Sequence, residues 1–171
     1  MILWLAQGFY VGRIPVAPGT FGSVVGIAWT ALLLLPGNLA LFAVGTLAGL
    51  ALSVYACGRA EKILGETDPG SVVIDEIAAI PVCFIAWIAV AAHKLGRFPA
   101  PHDLFSGVNV WWVVGVFAAF RVFDIAKPWP VHGSQSLPGG WGVTVDDFLA
   151  AIYVNLSALL VFGLAGGQRL I

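Results

Sequence analysis

The stretch VVIDEIAAIPVCFIAWIAVAA, residues 72–92, decides the fold. It is apolar throughout except for Asp75 and Glu76 near its start. About 20 such residues in a helix span roughly 30 Å, the hydrocarbon thickness of a bilayer. A barrel strand would alternate polar and apolar residues over ~10 positions, and this stretch does not. It is predicted to be a membrane-embedded helix with two carboxylates at one end. Four other apolar segments flank it: 21–35, closed by Pro36-Gly37-Asn38; 39–56, without a charge; 108–123, with Trp111-Trp112; and 148–165, where Asn155 is the strongly polar residue. Segments 39–56, 72–92 and 148–165 are the candidates for full spans. The shorter 21–35 and 108–123 are expected to thin the bilayer or to be core helices partly in lipid. The predicted fold class is all-α: one domain over residues 1–171, about five apolar membrane-embedded helices, and a polar site at one membrane face.

Composition agrees. The 171 residues are 60% hydrophobic and 10% charged, against roughly 25% charged in a soluble domain. Disorder, a coiled coil and a soluble enzyme surface are excluded. A net charge of -1 offers no basic patch, so nucleic acid is not an expected partner. Cys57 and Cys83 stand apart in apolar runs without zinc-ligand spacing and read as packing residues. Residues 1–5 lack the basic region of a signal peptide, and 1–11 is too short to span, so it is expected at the interface. Gly45 and Gly49 form a GxxxG suited to close helix contact.

If the five segments alternate across the membrane with the N-terminus inside, Arg13, Arg59, Lys62, Arg121 and Lys127 fall inside and Lys94, Arg97 and Arg169 outside, a 5-to-3 positive-inside preference. The same arrangement puts every unusual polar cluster on the inner side.

There are four such clusters. The first is Pro15-Val16-Ala17-Pro18-Gly19-Thr20-Phe21-Gly22-Ser23. Its glycines admit a close ligand, and Thr20 or Ser23 is expected to cap a helix whose N-terminal amides attract phosphate. The lysine of a Walker A loop is missing. The second is Asp68-Pro69-Gly70-Ser71-Val72-Val73-Ile74-Asp75-Glu76. Asp68 reads as an N-cap before proline. Asp75 and Glu76 lie ~100° apart on a helix and are expected to point differently, one to a metal and the other to a water or a cation. Dipole compensation explains one exposed acid better than two, and ionisable groups inside membrane segments are functional by default.

The third cluster is Phe120-Arg121-Val122-Phe123-Asp124-Ile125-Ala126-Lys127-Pro128-Trp129-Pro130. Arg121, Asp124 and Lys127 share one helix arc of ~120°. An exposed salt-bridge ladder is the plain alternative, and the surrounding Phe and Val argue against it. An Arg and a Lys beside a carboxylate suit a phosphate next to a metal. The fourth cluster is Leu137-Pro138-Gly139-Gly140-Trp141-Gly142-Val143-Thr144-Val145-Asp146-Asp147. Thr144 and Asp147 fit a capping box, which leaves Asp146 unexplained. Adjacent carboxylates repel unless a positive group is near, and Mg²⁺ is the natural partner. Six of the nine acids (Asp68, Asp75, Glu76, Asp124, Asp146 and Asp147) belong to these clusters. His93 and His102 are expected in an outer loop and His132 in a loop after Pro130; no Ser/His/Asp layout appears.

Taken together and in this order, the four motifs resemble the phosphatidylglycerophosphatase A family. Alanines stand at Ala78-Ala79 and Ala150-Ala151, where the family pattern tends to place a glycine after each acidic pair. The resemblance implies an all-α bundle with a central helix. It also implies a Mg²⁺-dependent phosphatase at the inner face of a bacterial cytoplasmic membrane, converting phosphatidylglycerophosphate to phosphatidylglycerol. The residues then suggest roles. Asp75, Glu76, Asp146 and Asp147 are candidate metal ligands. Asp68, Arg121, Asp124 and Lys127 are candidate catalytic residues. Thr20, Gly22 and Ser23 are candidates for binding the substrate phosphate. The Asp75-Glu76 and Asp146-Asp147 pairs should then lie close in space. The alternative is a small transporter or channel with buried acids, which would need its polar residues near the midplane. A phosphatidyl-transferring enzyme would carry a DxxDG…AR…G…D…D signature, which is absent.

Overall fold

The computed structural model describes residues 1–164, so Ala165 of the last apolar segment and Arg169 of the charge count lie outside the described residues. The described residues form helices α1 (Ile2–Ala6), α2 (Pro18–Leu34), α3 (Leu39–Leu64), α4 (Ile74–Cys83), α5 (Ile85–Leu95), α6 (Pro101–Leu104), α7 (Asn109–Ala126), α8 (Val131–Ser134) and α9 (Gly140–Leu164). No strand occurs among them. Each predicted apolar segment is helical. α3, α4–α5, α7 and α9 are long and apolar enough to cross a bilayer, and α2, with 17 residues, is shorter.

The helices outrun the apolar segments where polar residues continue the helical path. α3 extends past Ala56 to Leu64 and carries Arg59, Glu61 and Lys62. α9 begins at Gly140 and carries Asp146 and Asp147 in its second turn. Three expected caps are corrected. α2 starts at Pro18 behind Ala17, which has a positive φ of 49°, and no side chain caps it. Ser23 instead donates to the Gly19 carbonyl at 2.9 Å. Asp68, at φ 50°, sits in a turn, and Val73 precedes α4. Thr144 is interior to α9, and its hydroxyl pairs with Ser53 of α3 at 2.8 Å.

The segment 72–92 is the central helix of the bundle. Of its most apolar stretch, 72% is buried, against 22%, 17% and 33% for α3, α7 and α9. It is not continuous: Phe84, at φ -90° and ψ 0°, separates α4 from α5. Pro81, inside α4, has no N–H and so removes one ladder hydrogen bond just before the break. Around α4 pack α2, α3, α7 and α9. α1 packs on α3, with Ala6 against Ala56, Cys57 and Ala60, and the Ala6 carbonyl accepts from Val73 N at 2.9 Å.

Lipid supplies no hydrophobic drive between helices, so close backbone approach has to do that work. A Cβ on Gly140 would run into the Val54 carbonyl and the Gly58 amide of α3. A Cβ on Gly45 would meet Leu33, and Gly49 faces Trp29 of α2, so the GxxxG packs as expected. Gly140→Ala should therefore destabilise the protein by about 1–3 kcal/mol, as overpacking does. Gly115→Ala, whose Cβ would meet nothing within 4 Å, should be neutral. Thermal unfolding of both variants in detergent checks this.

Candidate active site

The start of α4, the second turn of α9, the end of α7 and the loop at Asp68 and Gly70 enclose a cavity of about 110 Å³. Asp75, Glu76, Asp124, Lys127, Asp146 and Asp147 line it, with Val72 and Val143 as apolar wall. Both acidic pairs meet here, as expected. Asp75, Glu76 and Asp147 each bring a carboxylate oxygen within 4.8 Å of the other two. Asp75 Oδ1, Glu76 Oε2 and Asp147 Oδ2 are buried and have no hydrogen-bond partner. Buried acceptors without a donor are rare and need a physical reason.

Adjacency did not separate Asp75 from Glu76. The cavity lies in the angle between α7 and α9, so a ~100° step turns one acid toward each. Asp75 meets Asp147, while Glu76 Oε1 is 3.9 Å from Arg121 Nη1. On α9 the same step does separate the pair. Asp147 joins the carboxylate trio, and Asp146 turns to Lys127 Nζ and accepts from Asp147 N at 2.9 Å. Asp146 is thus not one of the three clustered carboxylates.

α7 supplies both cations. Arg121 Nη1 contacts Asp124 at 2.9 Å and the Ser23 hydroxyl at 3.4 Å. The Arg121 and Asp124 side chains are only 18% and 14% exposed, so the exposed-ladder reading fails. Lys127 ends α7 at φ 41°, which turns its side chain out of the helical path toward α9. Burial opposes its charge, yet the hydrogen bond to Asp146 holds its pKa above the ordinary lysine value.

Asp68 lines the cavity from an exposed turn, its amide donating to Glu61 Oε1 at 3.1 Å. Ser23 adjoins through Arg121. Thr20 is partly exposed and does not line the cavity. The open side of Gly22 is filled by Val73, so that glycine serves helix packing. Gly19, one of the glycines expected to admit a ligand, borders the site instead through side chains: a Cβ there would strike Glu76 Oε1 and approach Arg121 Nη1. His93, His102 and His132 are exposed and sit on α5, α6 and α8.

Residues 4–162 match the family model described as phosphatidylglycerophosphatase A. The chain belongs to this family. It is 33% identical over 151 residues to phosphatidylglycerophosphatase A of Escherichia coli, covering 86% of this chain and 76% of that protein. It is 33% identical over 161 residues to phosphatidylglycerophosphatase A of Haemophilus influenzae, covering 94% and 86%. It is also 35% identical over 153 residues, covering 87% and 86%, to a Bacteroides thetaiotaomicron protein named "Putative phosphatidylinositol-3-phosphatase". No solved structure matches. Family membership makes the chain a phosphatase and sets aside the transporter alternative.

For this phosphatase, Gly19→Ala should drive a methyl group into the Glu76–Arg121 contact. Misplacement of reacting groups by ~1 Å can cost about 100-fold in rate, and a loss of that order in kcat/KM is expected. Helix content, followed by circular dichroism, should be unchanged.

Proposed function

We propose that this chain removes the terminal phosphate of phosphatidylglycerophosphate in a Mg²⁺-dependent reaction, as a step of phospholipid biosynthesis, with its site facing the cytoplasm from a bacterial inner membrane. The observation that carries the reading is the trio of buried Asp75 and Asp147 with half-buried Glu76, with three buried oxygens lacking any donor, beside Arg121 and Lys127. A few carboxylates open to a phosphate are the donor set Mg²⁺ uses, so these residues fit the ion and would hold it. When bound, Mg²⁺ supplies positive charge that offsets the phosphate oxygens.

The remaining work falls to side chains. Arg121 is held by Asp124 and keeps a buried, unpartnered Nε–H to donate to a phosphate oxygen. Such donors act where charge gathers in the transition state. Lys127, held by Asp146, adds a second cation and lines the cavity itself. Asp124 is committed to Arg121, which leaves exposed Asp68 to orient the attacking water and accept its proton, while the ester P–O bond opens and the departing glycerol oxygen takes a proton from solvent water. Direct attack by water is favoured because no DxDx[TV] arrangement for an aspartyl-phosphate is present. Exposed apolar residues near the site, such as Val122 and Ile125, keep the acyl chains in lipid. The name of the Bacteroides relative makes a phosphoinositide the natural competing substrate in an assay.

Phosphate release from phosphatidylglycerophosphate should stop on chelation and return with Mg²⁺ more fully than with Ca²⁺. Turnover that survives chelation would dismiss the metal site. Asp147→Asn should need at least ~10-fold more Mg²⁺ for half-maximal rate. Arg121→Ala should lose about 100-fold in kcat at any Mg²⁺ level, and Arg121→Lys should not restore it because the fork geometry is lost. Full activity in Arg121→Ala would reduce α7 to a structural ion pair.

A further inference from the structure

One side chain of α9 closes the break between α4 and α5. In an unbroken helix the Ala86 N–H would donate to the Val82 carbonyl four residues back. Here the Asn155 carboxamide stands between them. Its Oδ1 accepts from Ala86 N at 2.7 Å, and its Nδ2 donates to the Val82 carbonyl at 2.7 Å and to the Ala151 carbonyl of its own helix at 2.8 Å. Val82 and Ala86 are 3% and 4% exposed, so without the amide both backbone groups would be stranded in an apolar core.

The position of this splice is as telling as its chemistry. Val82 follows Asp75 by 82 - 75 = 7 residues on α4, and Asn155 follows Asp147 by 155 - 147 = 8 residues on α9. At 1.5 Å per residue the two spacings are about 10 and 12 Å. α4 and α9 therefore run in the same direction and are tied twice at matching heights, once by the amide and once where Asp75 meets Asp147. A slip of one residue would turn α9 by ~100° and carry Asp147 away from Asp75.

We infer that Asn155 is a positioning residue for the phosphatase site: by locking α9 to the α4–α5 break it sets the separation of Asp75 and Asp147, and so the cation affinity of the site. Its carboxamide is committed to the backbone of Ala86, Val82 and Ala151 and is not among the residues that line the cavity. The inference rests on the metal reading proposed above.

The test is Mn²⁺ binding to purified protein in detergent, with free Mn²⁺ read by electron paramagnetic resonance. Asn155→Leu should keep its helix content and bind Mn²⁺ at least ~10-fold more weakly, the effect expected when a group orienting a metal ligand is lost. Asn155→Asp keeps an acceptor for the Ala86 N–H and, protonated in the apolar core, a donor for the Val82 carbonyl. It should bind within about 3-fold of wild type, well inside that loss. At saturating Mg²⁺ the KM for the lipid phosphate should stay within about 2-fold in both variants, because uniform substrate binding is untouched. Wild-type Mn²⁺ affinity in Asn155→Leu overturns the inference and leaves Asn155 a splice in a helix. If Asn155→Leu does not fold, Asn155→Gln decides. It keeps both polar groups but adds a methylene that pushes α9 off the break: weakened Mn²⁺ binding supports the inference, and unchanged binding overturns it. Wild-type protein that binds no Mn²⁺ overturns the metal reading first and this inference with it.

Discussion

Mutual repulsion among carboxylates at one end of an apolar bundle is the constraint that the rest of the site answers. Asp75, Asp146 and Asp147 are 5%, 3% and 3% exposed. Taking charges out of water costs several kcal/mol each unless they are paired. α7 brings two cations to them: Lys127 neutralises Asp146, and Arg121 is shared between Asp124 and, more distantly, Glu76. That leaves Asp75 and Asp147 without a basic partner among the described residues, and an oxygen on each without a donor. Such an arrangement contributes nothing to folding by itself. It is the arrangement that the proposed cation site would make use of.

How much of this was legible follows from which physical effect carried each signal. Apolar runs mark helices in lipid because nothing else satisfies the backbone there, so all five segments were readable. Their ends were not, because the helices continue through charged residues that an apolar run excludes, as at Arg59 to Leu64 and Gly140 to Asp147. The break at Phe84 was hidden. Pro81 alone does not say whether a helix bends or stops, and the compensating amide lies on a helix far away in sequence. The caps at Asp68 and Thr144 failed for a related reason: tertiary contacts, with Glu61 and Ser53 respectively, outweighed a local preference. The convergence of the two carboxylate pairs was legible. The division of labour between Asp146 and Asp147 was not, since it depends on where α7 ends.

The glycines show the same split between local and tertiary meaning. Gly19 and Gly22 stand three residues apart in one motif and read alike in sequence. In the fold, Gly22 lets α2 press on Val73, while Gly19 leaves room for Glu76 and Arg121 to meet. One is a packing contact and the other borders the chemistry. Only the neighbouring helix distinguishes them.

Topology explains why clusters so far apart in sequence converge. In a chain that alternates direction, the starts of α2, α4 and α9 and the ends of α3 and α7 share one end of the bundle. Helix N-termini carry partial positive charge and C-termini partial negative charge. Asp75 and Glu76, in the first turn of α4, therefore lie at a favourable terminus, as does Lys127 where α7 ends, whereas Asp146, Asp147 and Arg121 lie more than a turn from the ends of their helices. The same polarity would suit ordinary surface helices, which is why dipole logic alone cannot reveal a site. What separates the two cases is desolvation. A surface acid at a helix start keeps its water, whereas Asp75 and Asp147 have exchanged theirs for one another across parallel helices. Attraction to a terminus is worth about 1 kcal/mol, less than the several kcal/mol of burying an uncompensated charge. The packing of α4 against α9 must hold the pair in place, and a tie deeper in the membrane is where that restraint is available.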